Sequence, residues 1–134
     1  LDGCEMVPFR AGIAAGTEMI MTTHIALPNV TGTDIPSTMS SVILQEKLRG
    51  ELGYKGIIVT DALEMGAITE KYTSAESAIE TVKAGADIVL LPTDYVQAVN
   101  GIINAVKGGV IDEKRIDESV YRILSLKKEK GLLD

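Results

Sequence analysis

The sequence predicts an α/β fold built from parallel βα units, and two observations carry that prediction. One phrase recurs three times: an amphipathic stretch ends at a glycine, a few residues follow, and a short aliphatic run begins. Its copies are Ala15-Gly16-Thr17-Glu18 before Met19-Ile20-Met21, Leu52-Gly53-Tyr54-Lys55-Gly56 before Ile57-Ile58-Val59, and Ala84-Gly85-Ala86-Asp87 before Ile88-Val89-Leu90-Leu91. The marker glycines Gly16, Gly53 and Gly85 are spaced by about the length of one βα repeat, roughly 30–40 residues.

Each element then has a local reason to form. The aliphatic runs are continuous rather than alternating, the pattern of strands buried on both faces of a parallel sheet. A first helix is expected from about Glu5, with Pro8 tolerated in its opening turn. Ser40 is positioned to cap a helix carrying Ile43, Leu44, Leu48 and Leu52. Thr73 and Glu76 have capping-box spacing ahead of Ala75, Ala78, Ile79 and Val82. A third stripe, Val96, Val99, Ile102, Ile103 and Val106, ends at Gly108-Gly109. A fourth, Ile116, Val120, Ile123 and Leu124, is capped by Asp112 and ended by Gly131. The order is αβαβαβαα without hairpin signals, which suits an open doubly wound sheet or part of a (β/α)8 barrel. No glycine-rich phosphate fingerprint follows any strand.

Composition narrows the function. The chain has 134 residues, taken as a single unit over 1–134, with a formal net charge of −6. An acidic balance argues against nucleic acid, whose phosphates call for surplus Lys and Arg. No apolar run approaches the roughly 20 residues of a membrane span. Trp is absent, so the chain offers no Trp platform for stacking a sugar or base. Cys4 is the only cysteine, which leaves no internal disulfide or thiolate cage, and its expected state is a small, partly buried residue. The first residue is Leu1 and nothing in the sequence resembles a signal peptide, so a processed chain or a piece of a longer one is expected.

Chemistry is expected where the aliphatic runs stop. Thr22-Thr23-His24, Thr60-Asp61 and Pro92-Thr93-Asp94 follow the three runs, and the C-terminal edge of a parallel sheet is where βα proteins place their sites. His24, Asp61 and Asp94 are therefore candidates. For Asp94 a helix N-cap is the stronger reading, since a helical stripe begins near Val96. Asp61 is open between capping a turn over Ala62 to Met65 and catalysis. A lone His24 is more often structural than a ligand, and one histidine with scattered carboxylates has no metal-ligand spacing. Met21, Met39 and Met65 read as core filler.

The residues themselves carry a closer likeness. Met21-Thr22-Thr23-His24-Ile25-Ala26-Leu27-Pro28 resembles the M-x-x-H-x-x-x-P segment of family 3 glycoside hydrolases. Ile35-Pro36-Ser37-Thr38-Met39-Ser40 is similar to that family's P-A-S-L-S stretch. Leu48 to Met65, ending in Ile57-Ile58-Val59-Thr60-Asp61-Ala62-Leu63-Glu64-Met65, resembles its nucleophile segment. Arg115-Ile116-Asp117-Glu118-Ser119-Val120-Tyr121-Arg122-Ile123-Leu124, with Lys127, is similar to its last helix, and Glu5 with Pro8-Phe9-Arg10 to the helix before the M-x-x-H strand. His24 and Ala62-Leu63-Glu64-Met65 resemble the bacterial β-N-acetylhexosaminidase branch; the β-glucosidase branch usually has Tyr at the former position and Trp straight after the nucleophile.

The resemblance implies a fold, an activity and a gap. The fold would be about three βα repeats from the C-terminal part of a (β/α)8, TIM-type catalytic barrel. The activity would be retaining removal of terminal β-linked N-acetylhexosamine, with Asp61 as nucleophile and His24 and Met65 beside the substrate. His24 is expected to hydrogen-bond Asp61 or a sugar hydroxyl. The substrate would be an N-acetylglucosamine-containing glycan or muropeptide, with no metal or other cofactor. The acid/base of this branch is an Asp–His pair in a segment resembling K-H-F-P-G-H-G, and these 134 residues contain none. The chain alone is thus expected to be inactive, with its sheet edges covered by a missing N-terminal half or by self-association. Other readings are a non-catalytic half-barrel used for assembly or binding, and a β-glucosidase of the same family.

Overall fold

The computed structural model describes residues 3–133, so Leu1 lies outside them. Helix α1 (Met6–Ala14) leads to strand β1 (Met19–Met21). Short turns at Pro28–Thr31 and Ser37–Met39 precede a wide helix, Val42–Glu51, and strand β2 (Ile57–Val59). After a turn at Gly66–Thr69 come α2 (Ser74–Ala84), α3 (Tyr95–Lys107) and α4 (Glu113–Glu129). β1 and β2 pair in parallel, with Met19 opposite Ile57, Ile20 opposite Ile58 and Met21 opposite Val59. Gly16, Gly53 and Gly85 all adopt left-handed φ, of 86°, 67° and 119°, which only glycine accepts cheaply at these helix ends.

Local signals translate directly into structure. Thr73 and Glu76 close a reciprocal capping box on α2. Asp94 accepts from the Gln97 N–H at 2.9 Å, and Asp112 from that of Lys114 at 3.1 Å. Pro8 sits in the first turn of α1. Ile20 and Ile58 share one side of the sheet and pack on Leu44 and Leu48 of the wide helix, with Tyr54, Ala84 and Ala86. Met39, Leu63 and Ile68 form a second cluster; Val82, Ala105 and Ile111 form a third.

Several expectations are corrected. The run Ile88–Leu91 is not a regular strand: it makes one parallel bridge, Ile88 to Val59. Asp87 and Ile88 both donate to the Ile58 carbonyl, and the Leu90 N–H goes to the Thr60 hydroxyl instead of a ladder carbonyl. Leu91 then takes a φ of 43° and Pro92 brings no donor, so the ladder stops. β1 is buried on one face only, with Met19 and Met21 44% and 55% exposed. Ser40 supplies backbone but no side-chain capping bond to the helix that follows: it is extended and buried and its carbonyl accepts from Leu44 N–H, ahead of a helix wound with i→i+5 bonds. Cys4 is exposed.

Two helices bury only part of their predicted stripes: Ile102 and Val106 of α3 and Ile116 of α4 pack on the third cluster. α3 buries Ala98 and Ala105, and a Cβ on Gly101 would lie 2.7 Å from the Ala75 side chain. That close approach to α2 selects small residues and pushes Val96, Val99 and Ile103 outward. α4 leaves Val120 and Leu124 exposed and docks through Arg115, Ser119 and Arg122.

The dock is a buried carboxylate. The Asp87 side chain has no exposed surface; Arg49 Nη2 donates to Oδ2 at 2.6 Å and the Ile58 N–H to the same oxygen at 2.9 Å. Arg122 Nη1 and Ser119 Oγ donate to Oδ1 at 2.8 and 2.7 Å. Arg115 donates to Ser119 Oγ and to the Val82 and Ala86 carbonyls. Burial pulls the Arg49 and Arg115 pKa values down against the opposing pull of Asp87.

Replacing Asp87 with Asn keeps the shape and strands the arginines. The expected loss is about 3–5 kcal/mol of stability, the range for breaking a buried ion pair, read as a lower denaturant midpoint. A second prediction concerns Tyr54, whose hydroxyl donates to the Ile57 carbonyl at 3.1 Å. Burial raises its pKa from 10.0 to about 12, so folding favours the neutral phenol. Its contribution is fully present below the unfolded value and is lost as pH rises through the folded one. Melting midpoints should therefore fall between pH 10 and about 12, and Tyr54→Phe should flatten that fall.

Candidate active site

Parallel pairing in register delivers His24 and Asp61 to the same edge of the sheet, just past β1 and β2. The Thr22 N–H extends the pairing by donating to the Val59 carbonyl at 2.8 Å. Asp61 is half-buried, and its Oδ1 accepts from the N–H of the next residue, Ala62, at 2.8 Å. Among the described residues no other hydrogen bond or ion pair reaches this carboxylate. One oxygen is anchored by the backbone and the other remains available to a ligand.

The segment 25–40 leaves this edge as an arch stapled at its base. The Ser37 N–H and hydroxyl both donate to the Ile25 carbonyl, at 3.0 and 2.7 Å, and Ala26 bridges Pro36 in antiparallel fashion. Thr38 is fully buried; its N–H and Oγ1 both donate to the Thr23 carbonyl. Thr38 Oγ1 also lies 2.9 Å from Thr22 Oγ1 and 3.1 Å from His24 Nδ1.

His24 therefore meets different partners from those expected. It makes no hydrogen bond to Asp61, because Nδ1 is engaged by Thr38 and Nε2 donates to the Ala62 carbonyl at 2.9 Å. Met65 lies one turn beyond Asp61, at the N-terminus of the Gly66–Thr69 turn, and its N–H donates to the same Ala62 carbonyl at 3.2 Å. It is 45% exposed, and Met21 is exposed too, so of the three methionines read as core filler only Met39 is buried. Asp94 is not brought into contact with Asp61 or His24; it caps α3, and its N–H donates to Ser74 Oγ. Thr22 and Thr38 were the missed members of the site. Their signal was two polar positions, one directly after a strand and one after Pro36, that turn out buried. Among the described residues no group of three or more His, Cys, Asp or Glu side chains comes together.

The description "Glycosyl hydrolase family 3 N terminal domain" matches residues 1–126. The chain belongs to glycosyl hydrolase family 3. A family 3 β-N-acetylglucosaminidase structure from Paenibacillus sp. str. FPU-7 is 43% identical, with a TM-score of 0.89 over 94% of this chain and 24% of its own. Beta-hexosaminidase A of Pseudoalteromonas piscicida is 32% identical over 92% of this chain and 24% of its length. A protein of Cellulomonas fimi named beta-N-acetylglucosaminidase/beta-glucosidase is likewise 32% identical, over 94% and 24%. This family 3 chain thus spans about a quarter of the length of these relatives. The likeness includes the helix-rich arrangement around a small parallel sheet.

Proposed function

We propose that this chain carries the nucleophile of a retaining exo-glycosidase that removes terminal β-linked N-acetylhexosamine, N-acetylglucosamine above all. The observation that carries the reading is Asp61: a half-buried carboxylate at the C-terminal end of a parallel strand, one oxygen fixed by its own loop and the other unclaimed. In a retaining reaction such a carboxylate attacks the anomeric carbon while an acid about 5–5.5 Å away protonates the leaving oxygen. Water, deprotonated by that same group, then releases the sugar from the glycosyl-aspartate ester. His24 and Met65 flank the nucleophile loop, and the arch over 25–40 walls one side of it.

The same proposal covers the architecture. Residues 1–134 are read as about three βα repeats from the C-terminal part of a (β/α)8 catalytic barrel, in which the acid/base and most sugar contacts belong to other repeats. The exposed Met19 and Met21 face of β1 supports this reading, because a closed barrel covers that face. No Lys-His-x-x-Gly-His segment occurs within the 134 residues. The relatives named hexosaminidase or acetylglucosaminidase favour N-acetylated sugars, while the double name of the Cellulomonas fimi protein keeps β-glucosides as a second reading.

Two outcomes test this. The purified 134-residue chain should show no turnover of an aryl N-acetyl-β-glucosaminide above the buffer blank; steady turnover would refute the missing acid. In the full-length gene product, Asp61→Ala should lower kcat by at least about 10⁴-fold with an unchanged melt, and added azide should restore product as the α-glycosyl azide. Comparing aryl N-acetyl-β-glucosaminide with aryl β-glucoside on the parent protein decides between the two sugars.

A further inference from the structure

We infer that His24 is a positioning residue that aims the Asp61 carboxylate through the backbone of Ala62, touching neither the carboxylate nor the sugar. The inference rests on the reading of Asp61 as nucleophile. Ala62 is held at both ends: its N–H donates to Asp61 Oδ1 at 2.8 Å, and its carbonyl accepts from His24 Nε2 at 2.9 Å and from the Met65 N–H at 3.2 Å. A carbonyl only accepts, so Nε2 carries a proton in this contact. The direction of the Ala62 N–H fixes the rotation of the carboxylate. That N–H lies in the Asp61–Ala62 peptide and the gripped carbonyl in the Ala62–Leu63 peptide, so holding the carbonyl acts by restraining the φ and ψ of Ala62 that join the two planes.

The other end of His24 is equally constrained. Nδ1 meets Thr38 Oγ1 at 3.1 Å, and Thr38 is fully buried between the Thr22 hydroxyl and the Thr23 carbonyl. This hydroxyl serves either state of the ring. It accepts from a protonated Nδ1 while donating to the Thr23 carbonyl, or turns its single proton from that carbonyl to Nδ1 of a neutral imidazole. The Nε2 contact with Ala62 persists in both states. With both nitrogens engaged, the ring has no N–H left for a sugar hydroxyl. The chain Thr22–Thr38–His24–Ala62–Asp61 thus ties the nucleophile to the end of β1 and the base of the 25–40 arch. Geometry of this kind governs rate more than binding, since a misplacement near 1 Å costs on the order of 10²-fold.

The test uses the full-length gene product with His24→Leu, His24→Gln and His24→Asn, each assayed on an aryl N-acetyl-β-glucosaminide. His24→Leu should lower kcat by about 10–100-fold while KM stays within about threefold. Gln reaches the Ala62 carbonyl with its amide nitrogen and should recover kcat to within about fivefold of the parent; Asn is shorter, reaches Thr38 only, and should stay as slow as Leu. An unaffected His24→Leu overturns the inference. So does a KM rise of about tenfold at constant kcat, which would place the ring on the sugar. A His24→Gln variant as slow as His24→Leu with a parental melt also overturns it. If His24→Leu fails to fold, the difference between Gln and Asn decides. Asp61→Ala is run alongside: its inactivity beside an unaffected His24→Leu sinks this inference alone, whereas turnover by Asp61→Ala sinks the nucleophile reading and this inference together.

Discussion

Asp87 is the point on which the arrangement of this chain depends. One buried carboxylate receives Arg49 from the wide helix, Arg122 and Ser119 from α4, and the Ile58 N–H from within β2. It holds α4 jointly with the Arg115 bonds to the Val82 and Ala86 carbonyls and the packing of Ile116, since Val120 and Leu124 are exposed. Removing an acid and its arginines from water is costly, so such a cluster adds little net stability. What it supplies is a fixed geometry. Ridges of aliphatic residues can slide against a sheet, whereas a carboxylate with four donors on two oxygens accepts one placement of each partner.

That placement also divides the molecule. Asp87 grips the end of the sheet where the strands begin, while Asp61 and His24 stand where they finish. Charge-assisted rigidity is thereby confined to one edge, and the other keeps a carboxylate with an open oxygen. The threonines close this other edge differently. Thr22, Thr38 and Thr60 are buried hydroxyls that replace ladder bonds where the sheet ends: Thr60 takes the Leu90 N–H, and Thr38 connects the arch to β1. Neutral hydroxyls close these gaps at lower desolvation cost than charges, and they can reverse donor and acceptor roles.

What the sequence made legible was local. Thr73 with Glu76, Asp94 and Asp112 cap helices within three residues of themselves, and the three glycines close helices by their own conformational freedom, so each is visible in a short window. The failures were non-local. Asp87 lies 38 residues from Arg49 and 35 from Arg122, and nothing in a single sequence pairs them. Periodicity located the α3 and α4 stripes but only part of each faces the core: Ile102, Val106 and Ile116 pack on it, while Val96, Val99, Ile103, Val120 and Leu124 are exposed. α3 packs so closely on α2 that Ala98, Gly101 and Ala105 take the contact, and α4 is held by its arginines. At the site, Asp61 and His24 arrived at one edge as the strand ends implied. The ring's partner differed because a backbone carbonyl, which no side-chain pattern encodes, outcompeted the carboxylate.

The third aliphatic run shows why strand character is not a property of a segment alone. Ile88 to Leu91 is as wholly aliphatic as the run that forms β2, yet it makes one bridge. β2 has β1 on one side and Ile88 on the other, and all three of its residues are buried. β1 has β2 alone among the described residues and exposes alternate side chains; Ile88 has Val59 alone and bends away at Leu91. Order thus falls off outward from β2 on both sides, as expected when each strand owes its regularity to its neighbours. A barrel that supplied neighbours to both edges would extend the ladder through Leu90 and bury Met19 and Met21. Asp61, just past β2, follows the strand least dependent on such neighbours, and its carboxylate is already held by its own loop.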